Sequence, residues 1–217
     1  VPPPADEGPW AWVRVSEDNN VFIAINKAEM GQGVSTGLAM IVAEELGVAW
    51  SKVSIVLEPE RGVFHIPTTG RAGTAESTSV RNQYTELRTI GATARELLIS
   101  AAANRWDVDP ASLYVEQGQV MGGPDGAVLD FGELVNEAKS IPLPDEVILK
   151  DPSNFELIGT SPPPQGLESV VDGTRVFGID AEVEGMVYAA IRHAPVRGGQ
   201  ITNLDALSID GTGADAL

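Results

Sequence analysis

Apolar and polar positions alternate over residues 12–15 and again over Val21–Ile25, on either side of the polar run Glu17-Asp18-Asn19-Asn20. A period of two around a short polar turn predicts a β-hairpin. Beyond Gly33 the period changes. Leu38, Ile41, Val42 and Leu46 recur at helical spacing and the run stops at Gly47, which predicts an amphipathic helix closed by glycine. Val53–Leu57 reads as the next strand. A glycine- and threonine-containing loop over 67–73 then leads into a second helical pattern. Its buried stripe is Val80, Tyr84, Leu87, Gly91, Ala94, Leu98, Ala101 and Ala102, continuing towards Trp106. Such a helix has roughly 28 residues and is about 40 Å long at the standard rise.

The later pattern is finer grained. Tyr114–Glu116, Gln119–Met121 and residues 128–129 read as short strands between glycine turns. Asp130 with Glu133 three residues on resembles a capping box, opening a short helix to about Ser140. Residues 141–166 hold six prolines and no sustained period, which predicts an extended connector. Residues 170–180 and 186–192 read as strands of a second, incomplete β-rich unit. The expected class is α+β with α/β-like character: a helix-bearing domain over 1–140, a connector over 141–166, and the start of another domain over 167–217.

Composition narrows the partners. Apolar residues make up 43% of the 217 and charged residues 21%, the balance of a folded chain. Acidic residues outnumber basic ones 31 to 14, for a formal charge of −17. That field repels phosphate backbones and anionic lipid, so nucleic acid is not an expected partner. With no cysteine, the chain has no thiolate nucleophile and no cysteine-held iron–sulfur cluster of its own. No apolar run reaches the ~20 residues of a membrane helix, so no transmembrane segment is expected. The sequence opens at Val1-Pro2-Pro3-Pro4 without methionine, which suggests a removed leader or a trimmed chain.

Chemistry concentrates where small-residue loops feed helices. Glycine lets backbone approach a ligand, and a helix N-terminus offers free N–H groups and partial positive charge to an anion. The first such entrance is Gly31-Gln32-Gly33-Val34-Ser35-Thr36, where the Gln32 amide can pair with a polar heterocycle. The second is Gly73-Thr74-Ala75-Glu76-Ser77-Thr78-Ser79, with four hydroxyls in six residues. Taken singly, each has a plainer reading: Gly-x-Gly as a turn, and Ser35, Thr36, Ser77, Thr78 or Ser79 as helix caps. Together they suggest one anionic, heterocyclic ligand without identifying it. His65 and His193 lie far apart with no ligand partner at a recognisable spacing, so no metal site is expected. Trp10, Trp12, Trp50 and Trp106 read as core or interface residues, and Arg71 as a solvated loop arginine. Phosphate-loop, nucleophile-elbow and His-Glu-x-x-His motifs are absent.

At these loops the sequence also resembles a known family. The stretch Lys27-Ala28-Glu29-Met30-Gly31-Gln32-Gly33-Val34-Ser35-Thr36-Gly37-Leu38 is similar to the cofactor loop of the xanthine dehydrogenase/aldehyde oxidase family of molybdenum hydroxylases. The nearer likeness is to beta (large) subunits of the isoquinoline 1-oxidoreductase type. Trp50-Ser51-Lys52-Val53, Ser77-Thr78-Ser79-Val80-Arg81 and Gly91-Ala92-Thr93-Ala94-Arg95-Glu96-Leu97-Leu98 follow in register. Residues 171–180 and 185–190 resemble the opening of that family's hammerhead domain. The likeness covers most of residues 10–205, and its specificity lies in the order of the blocks.

The resemblance implies that Gly31, Gln32 and Gly33 contact molybdopterin, with the Gln32 amide hydrogen-bonded to the cofactor. It assigns Thr74, Ser77, Thr78 and Ser79 to a second pterin- or phosphate-binding stretch. It implies a molybdenum–molybdopterin cofactor in its cytosine dinucleotide form, shared with the remainder of the molybdopterin-binding subunit, whether a separate chain or a missing segment. Iron–sulfur clusters are expected on a separate 2Fe–2S subunit. The implied reaction hydroxylates a small-molecule substrate, an aldehyde or N-heteroaromatic, with oxygen from water. A periplasmic location after leader removal is implied, with the cytoplasm as the alternative. The family's Gly-Gly-Phe-Gly-type loop and its Gly-Glu-Pro-type segment with the glutamate base are not found, so no catalytic residue is assigned and activity alone is not expected. Glu76 stands where a small residue is expected. These departures support an alternative: a non-catalytic binding or assembly module that kept the fold but lost the cofactor.

Overall fold

A computed structural model describes residues 8–57, 73–188 and 193–200. The predicted hairpin is present as β1 (Val13–Val15) and β2 (Val21–Ile25), paired antiparallel with Val13 opposite Ile23. Its turn closes through Asn19 in the left-handed region (φ 63°), which asparagine tolerates better than most residues. The chain then forms α1 (Val34–Leu46) and returns as β3 (Val53–Leu57), parallel to β2 with Val21 opposite Val53. A parallel return needs a crossover, and α1 supplies it. Gly47 ends α1 at φ 76°, its N–H donating to the Ala43 and Glu44 carbonyls.

The long helix is α2 (Ser79–Trp106), 28 residues as its pattern predicts. Leu87, Gly91, Ala94, Leu98, Ala101 and Ala102 are buried, but Val80, placed on the same stripe, is 45% exposed. At this end the buried face carries Ser79 and Gln83 instead. Gly91 marks the contact with α1: a Cβ at this position would stand 2.5 Å from the Val42 carbonyl oxygen and 2.9 Å from Glu45 Cβ. Leu38, Ile41, Val42 and Leu46 of α1 meet this face and close the core against Val21, Ile23 and Ile25. Each such side chain contributes about 1.5–3 kcal/mol on burial. Trp12 lies fully inside, while Trp10, Trp50 and Trp106 pack on the core's margin.

A second sheet joins β4 (Tyr114–Glu116), β5 (Gln119–Met121) and β6 (Leu129–Asp130), all antiparallel. The third strand is one residue later than the expected 128–129. Helix α3 (Phe131–Ala138) follows, shorter than its expected end at Ser140; Glu133 accepts a 2.8 Å hydrogen bond from the Asp130 N–H, as a capping box requires. Asn19 fastens the two sheets: its amide donates to the Gly118 carbonyl and Asp130, and its oxygen accepts from the Gly132 N–H. The α+β class holds.

Residues 141–166 contain one short 3-10 turn (Pro152–Asn154) and no strand, in keeping with their prolines. They are nonetheless tied down. Two adjacent acids on α1, Glu44 and Glu45, are buried to 2% and 0% exposure. Glu44 accepts from Lys150 Nζ (3.0 Å) and from the N–H groups of Glu156, Leu157 and Ile158. Glu45 takes the Arg88 and Arg95 guanidinium groups and the Lys150 N–H. Burying a charge is costly unless it is paired and hydrogen-bonded, and here both conditions are met.

The compact body runs through Gly173, and residues from Thr174 form a separate unit. The strand expected over 170–180 is not there. Instead Gly166, at φ 74°, opens a one-turn helix α4 (Leu167–Val171), and Gly178–Asp180 makes a 3-10 turn. The valines favour extended chain, but a strand needs a ladder partner. The backbone bonds found there among the described residues are local, such as Asp172 N–H to the Glu168 carbonyl at 2.9 Å. Of the strand expected over 186–192, residues 186–188 are not in a strand and 189–192 lie outside the described residues. His65, Arg71 and positions 67–72 of the second entrance loop also lie outside them.

Candidate functional site

The two helix entrances, some forty residues apart in sequence, are neighbours in the fold. Lys27, 1% exposed, donates from Nζ to the Gly73 carbonyl at 2.6 Å. The Ala28 N–H donates to Thr74 Oγ1 at 2.8 Å. One turn deeper, the Gln83 amide of α2 donates to Asn26 at 3.0 Å. The loop leaving β2 and the loop entering α2 are thus stitched by three cross-loop bonds. Burial pushes the Lys27 amine below its ordinary value. Of the residues singled out in the sequence, Gly31, Gln32, Gly33 and Ser77 are exposed, Thr74 and Thr78 half-buried and Ser79 buried.

The first entrance is tightly organised. Gly31 and Gly33 have φ of 91° and 76°, the left-handed values that glycine adopts without steric cost. Among the described residues, nothing lies within 4 Å of where a Cβ would stand on either. The Gln32 side chain folds over its own loop, accepting from the Met30 N–H (2.6 Å) and donating to the Ala28 carbonyl (3.0 Å). An amide has two N–H donors and two acceptor lone pairs, so among the described residues Gln32 keeps one of each for another group. Glu29 is the residue that sequence reasoning passed over. Its Oε1 accepts from the Gly31 and Gly33 N–H groups, both at 2.9 Å; its Oε2 accepts from the Ser35 N–H (3.0 Å) and Ser35 Oγ (2.7 Å). Burial alone would raise the Glu29 carboxyl, but the hydrogen bonds from Ser35, Gly33 and Gly31 outweigh it and hold the group below the ordinary glutamate value. The legible signal was an acid two residues before a Gly-x-Gly turn with serine six residues on.

The second entrance is strained and uncapped. Glu76 and Ser77 occupy the left-handed region in succession (φ 56° and 54°), costing on the order of 1–3 kcal/mol each. Thr78 stands at the N-cap of α2 in helical conformation, and no side chain caps the helix. Its hydroxyl donates backwards to the Ala75 carbonyl at 2.9 Å. Among the described residues, the cap role open to Ser77, Thr78 and Ser79 is therefore filled by none of them, and no side chain caps the first-turn N–H groups of this 28-residue helix. Among the described residues there is no group of three or more His, Asp or Glu side chains that could hold a metal ion.

Two loop-to-helix entrances thus adjoin on one α+β body, one presenting a glutamine amide and the other the start of the long helix. The chain belongs to the molybdopterin cofactor-binding domain family, whose model matches residues 2–169. It is 31% identical over 91% of its length to isoquinoline 1-oxidoreductase subunit beta of Brevundimonas diminuta, of which it spans 30%. It is 32% identical, also over 91% of its length, to a protein of Gluconacetobacter polyoxogenes named membrane-bound aldehyde dehydrogenase (pyrroloquinoline-quinone), spanning 26% of it. Quinoline 2-oxidoreductase from Pseudomonas putida 86 aligns in structure with 67% of this chain and 17% of that one, at 23% identity and a TM-score of 0.44. The chain thus spans under a third of the curated relatives it matches.

Proposed function

We propose that this chain supplies part of the molybdopterin-binding surface of a molybdenum hydroxylase acting on an aldehyde or N-heteroaromatic substrate, with oxygen drawn from water. The observation carrying the proposal is the junction of the two entrances through Lys27, Ala28, Gly73 and Thr74. It joins the loop carrying residues 31–33 to the loop carrying residues 74–79, on a chain whose family is a molybdopterin cofactor-binding one. The residues fit the group. Gln32 retains a donor and an acceptor for a pterin edge, Gly31 and Gly33 leave the approach open, and Ser77, Thr78 and Ser79 stand at an uncapped helix start. Bound there, the cofactor would supply the redox centre; this chain's residues hold and orient it. The glutamate base is assigned to the remainder of the molybdopterin-binding subunit. The cytosine dinucleotide form of the cofactor, 2Fe–2S clusters on a partner subunit, a periplasmic location and a hammerhead-like domain opening after the connector belong to the same proposal.

Native mass spectrometry with metal analysis, on the complex purified from its source, tests it. The expected particle holds this polypeptide, molybdenum and an iron–sulfur subunit; a metal-free particle would overturn the reading. One observation favours the rival, a module that kept the fold without the cofactor: Glu29 already takes the Gly31, Gly33 and Ser35 N–H groups at the α1 entrance. Under that rival, Gln32→Ala and Ser79→Ala leave cofactor loading of the complex unchanged.

A further inference from the structure

A helix N-terminus ordinarily attracts an external anion because its first N–H groups are unpaired and carry partial positive charge. At α1 a carboxylate from within the loop already meets part of this attraction. One carboxylate, that of Glu29, receives four hydrogen bonds of 2.7–3.0 Å, three from backbone N–H groups at residues 31, 33 and 35 and one from the Ser35 hydroxyl. A phosphate brought to the same donors would have to displace a covalently tethered carboxylate, or sit beside it and be repelled. The same bonds have a second effect. Gly31 and Gly33 bracket Gln32, and both of their N–H groups point at Glu29 Oε1. The backbone on each side of Gln32 is therefore fixed, and the amide lies against the Ala28 carbonyl and Met30 N–H, with its remaining donor and acceptor outward.

We infer that Glu29 is the positioning residue of the cofactor loop and its specificity filter: it holds Gln32 in place and reserves the α1 entrance for an uncharged hydrogen-bonding edge, rejecting phosphate. This rests on the reading of the site given under the proposed function. The filter explains how a loop of the Gly-x-Gly-to-helix kind can serve a heterocycle rather than a phosphate, since its charge is already answered from within the loop.

The test uses the full-length polypeptide produced without molybdopterin, and reads backbone hydrogen exchange of residues 29–36 by mass spectrometry. Glu29→Gln keeps the size of the side chain and removes its charge; exchange at Gly31, Gly33 and Ser35 rises by about tenfold or more, as expected when charge-assisted hydrogen bonds are lost. Adding tens of millimolar inorganic phosphate slows that exchange again in the variant and leaves the wild type unaltered. Ser35→Ala, which removes one of the four bonds and spares the charge, gives a smaller rise, and the α2 core over 87–103 serves as the folding control. Unchanged exchange in Glu29→Gln would overturn the inference. So would phosphate protection of the wild-type loop, a result that needs no variant to fold. Pterin content of the wild-type protein made with its cofactor separates the two claims. Pterin absent there refutes the proposed function, whereas pterin present with a loop indifferent to Glu29 refutes only the filter.

Discussion

At the scale of single residues, the structure turns on buried acids whose partners lie far along the chain. Glu45 takes two guanidinium groups at full burial, so Glu45→Ala removes the carboxylate partner of buried Arg88 and half-buried Arg95. Breaking a buried pair on one side costs on the order of 3–5 kcal/mol, and thermal unfolding should show a loss of that size; a change below 1 kcal/mol would contradict the account. For Glu44, burial raises the carboxyl, but the Ile158 and Leu157 N–H groups and Lys150 outweigh it, and the folded-state value lies below the ordinary one. A depressed carboxyl stabilises the fold above its unfolded value, and that contribution is lost as pH falls through the lower, folded value. Denaturant unfolding across the acid range should therefore show stability falling, with Glu44→Gln showing a shallower fall. Neither acid stood out in the sequence, because each follows an apolar run on α1 and reads as the solvent face. Their signal was the arginine pair Arg88 and Arg95, seven residues apart and so on one face of α2. At Gly91, where helix periodicity placed a buried position correctly, the missing side chain is what lets α1 and α2 approach. Gly91→Ala must shift the Val42 carbonyl or strain Glu45, costing about 1–3 kcal/mol despite the better helix propensity of alanine. An increase in melting temperature would refute that close contact.

At the scale of elements, the hairpin, both long helices and β3–β5 were legible, because each carries its own period or turn chemistry. What was not legible is what holds them by non-local pairing. Residues 141–166 have no period, and nothing in their composition shows that Glu44 and Glu45 wait for their backbone. Gln165 is the clearest case. Its side-chain amide donates to the Val53 carbonyl and accepts from the Ile55 N–H at 3.0 Å, as one residue of a parallel neighbouring strand would. A five-residue strand reading Val-Ser-Ile-Val-Leu is an adhesive edge unless covered. Gln165→Ala should uncover it and give concentration-dependent self-association in sedimentation velocity, where the wild type serves as reference; unchanged sedimentation would count against an edge-blocking role. The strand read over 170–180 failed for the converse reason: valines favour extended chain, but the glycines at 166 and 173 take left-handed values, and hydrogen bonding there is local.

At the scale of the whole molecule, the sequence placed the two entrances in the right order and the fold brings them together; Glu29, which takes three N–H groups at the first of them, left only the faint signal of an acid two residues before Gly-x-Gly. A net charge of −17 disfavours anions at long range, yet the field at the two loops is local, set by helix starts and backbone N–H groups. The central claim is that residues 31–33 and 74–79 together hold molybdopterin. Molybdenum and pterin per polypeptide, measured on the natively purified complex for wild type, Gln32→Ala and Ser79→Ala, test it most directly. The account predicts a loaded wild type and marked loss of both molybdenum and pterin in each variant, with the fold intact by circular dichroism. Equal loading in all three proteins would contradict it.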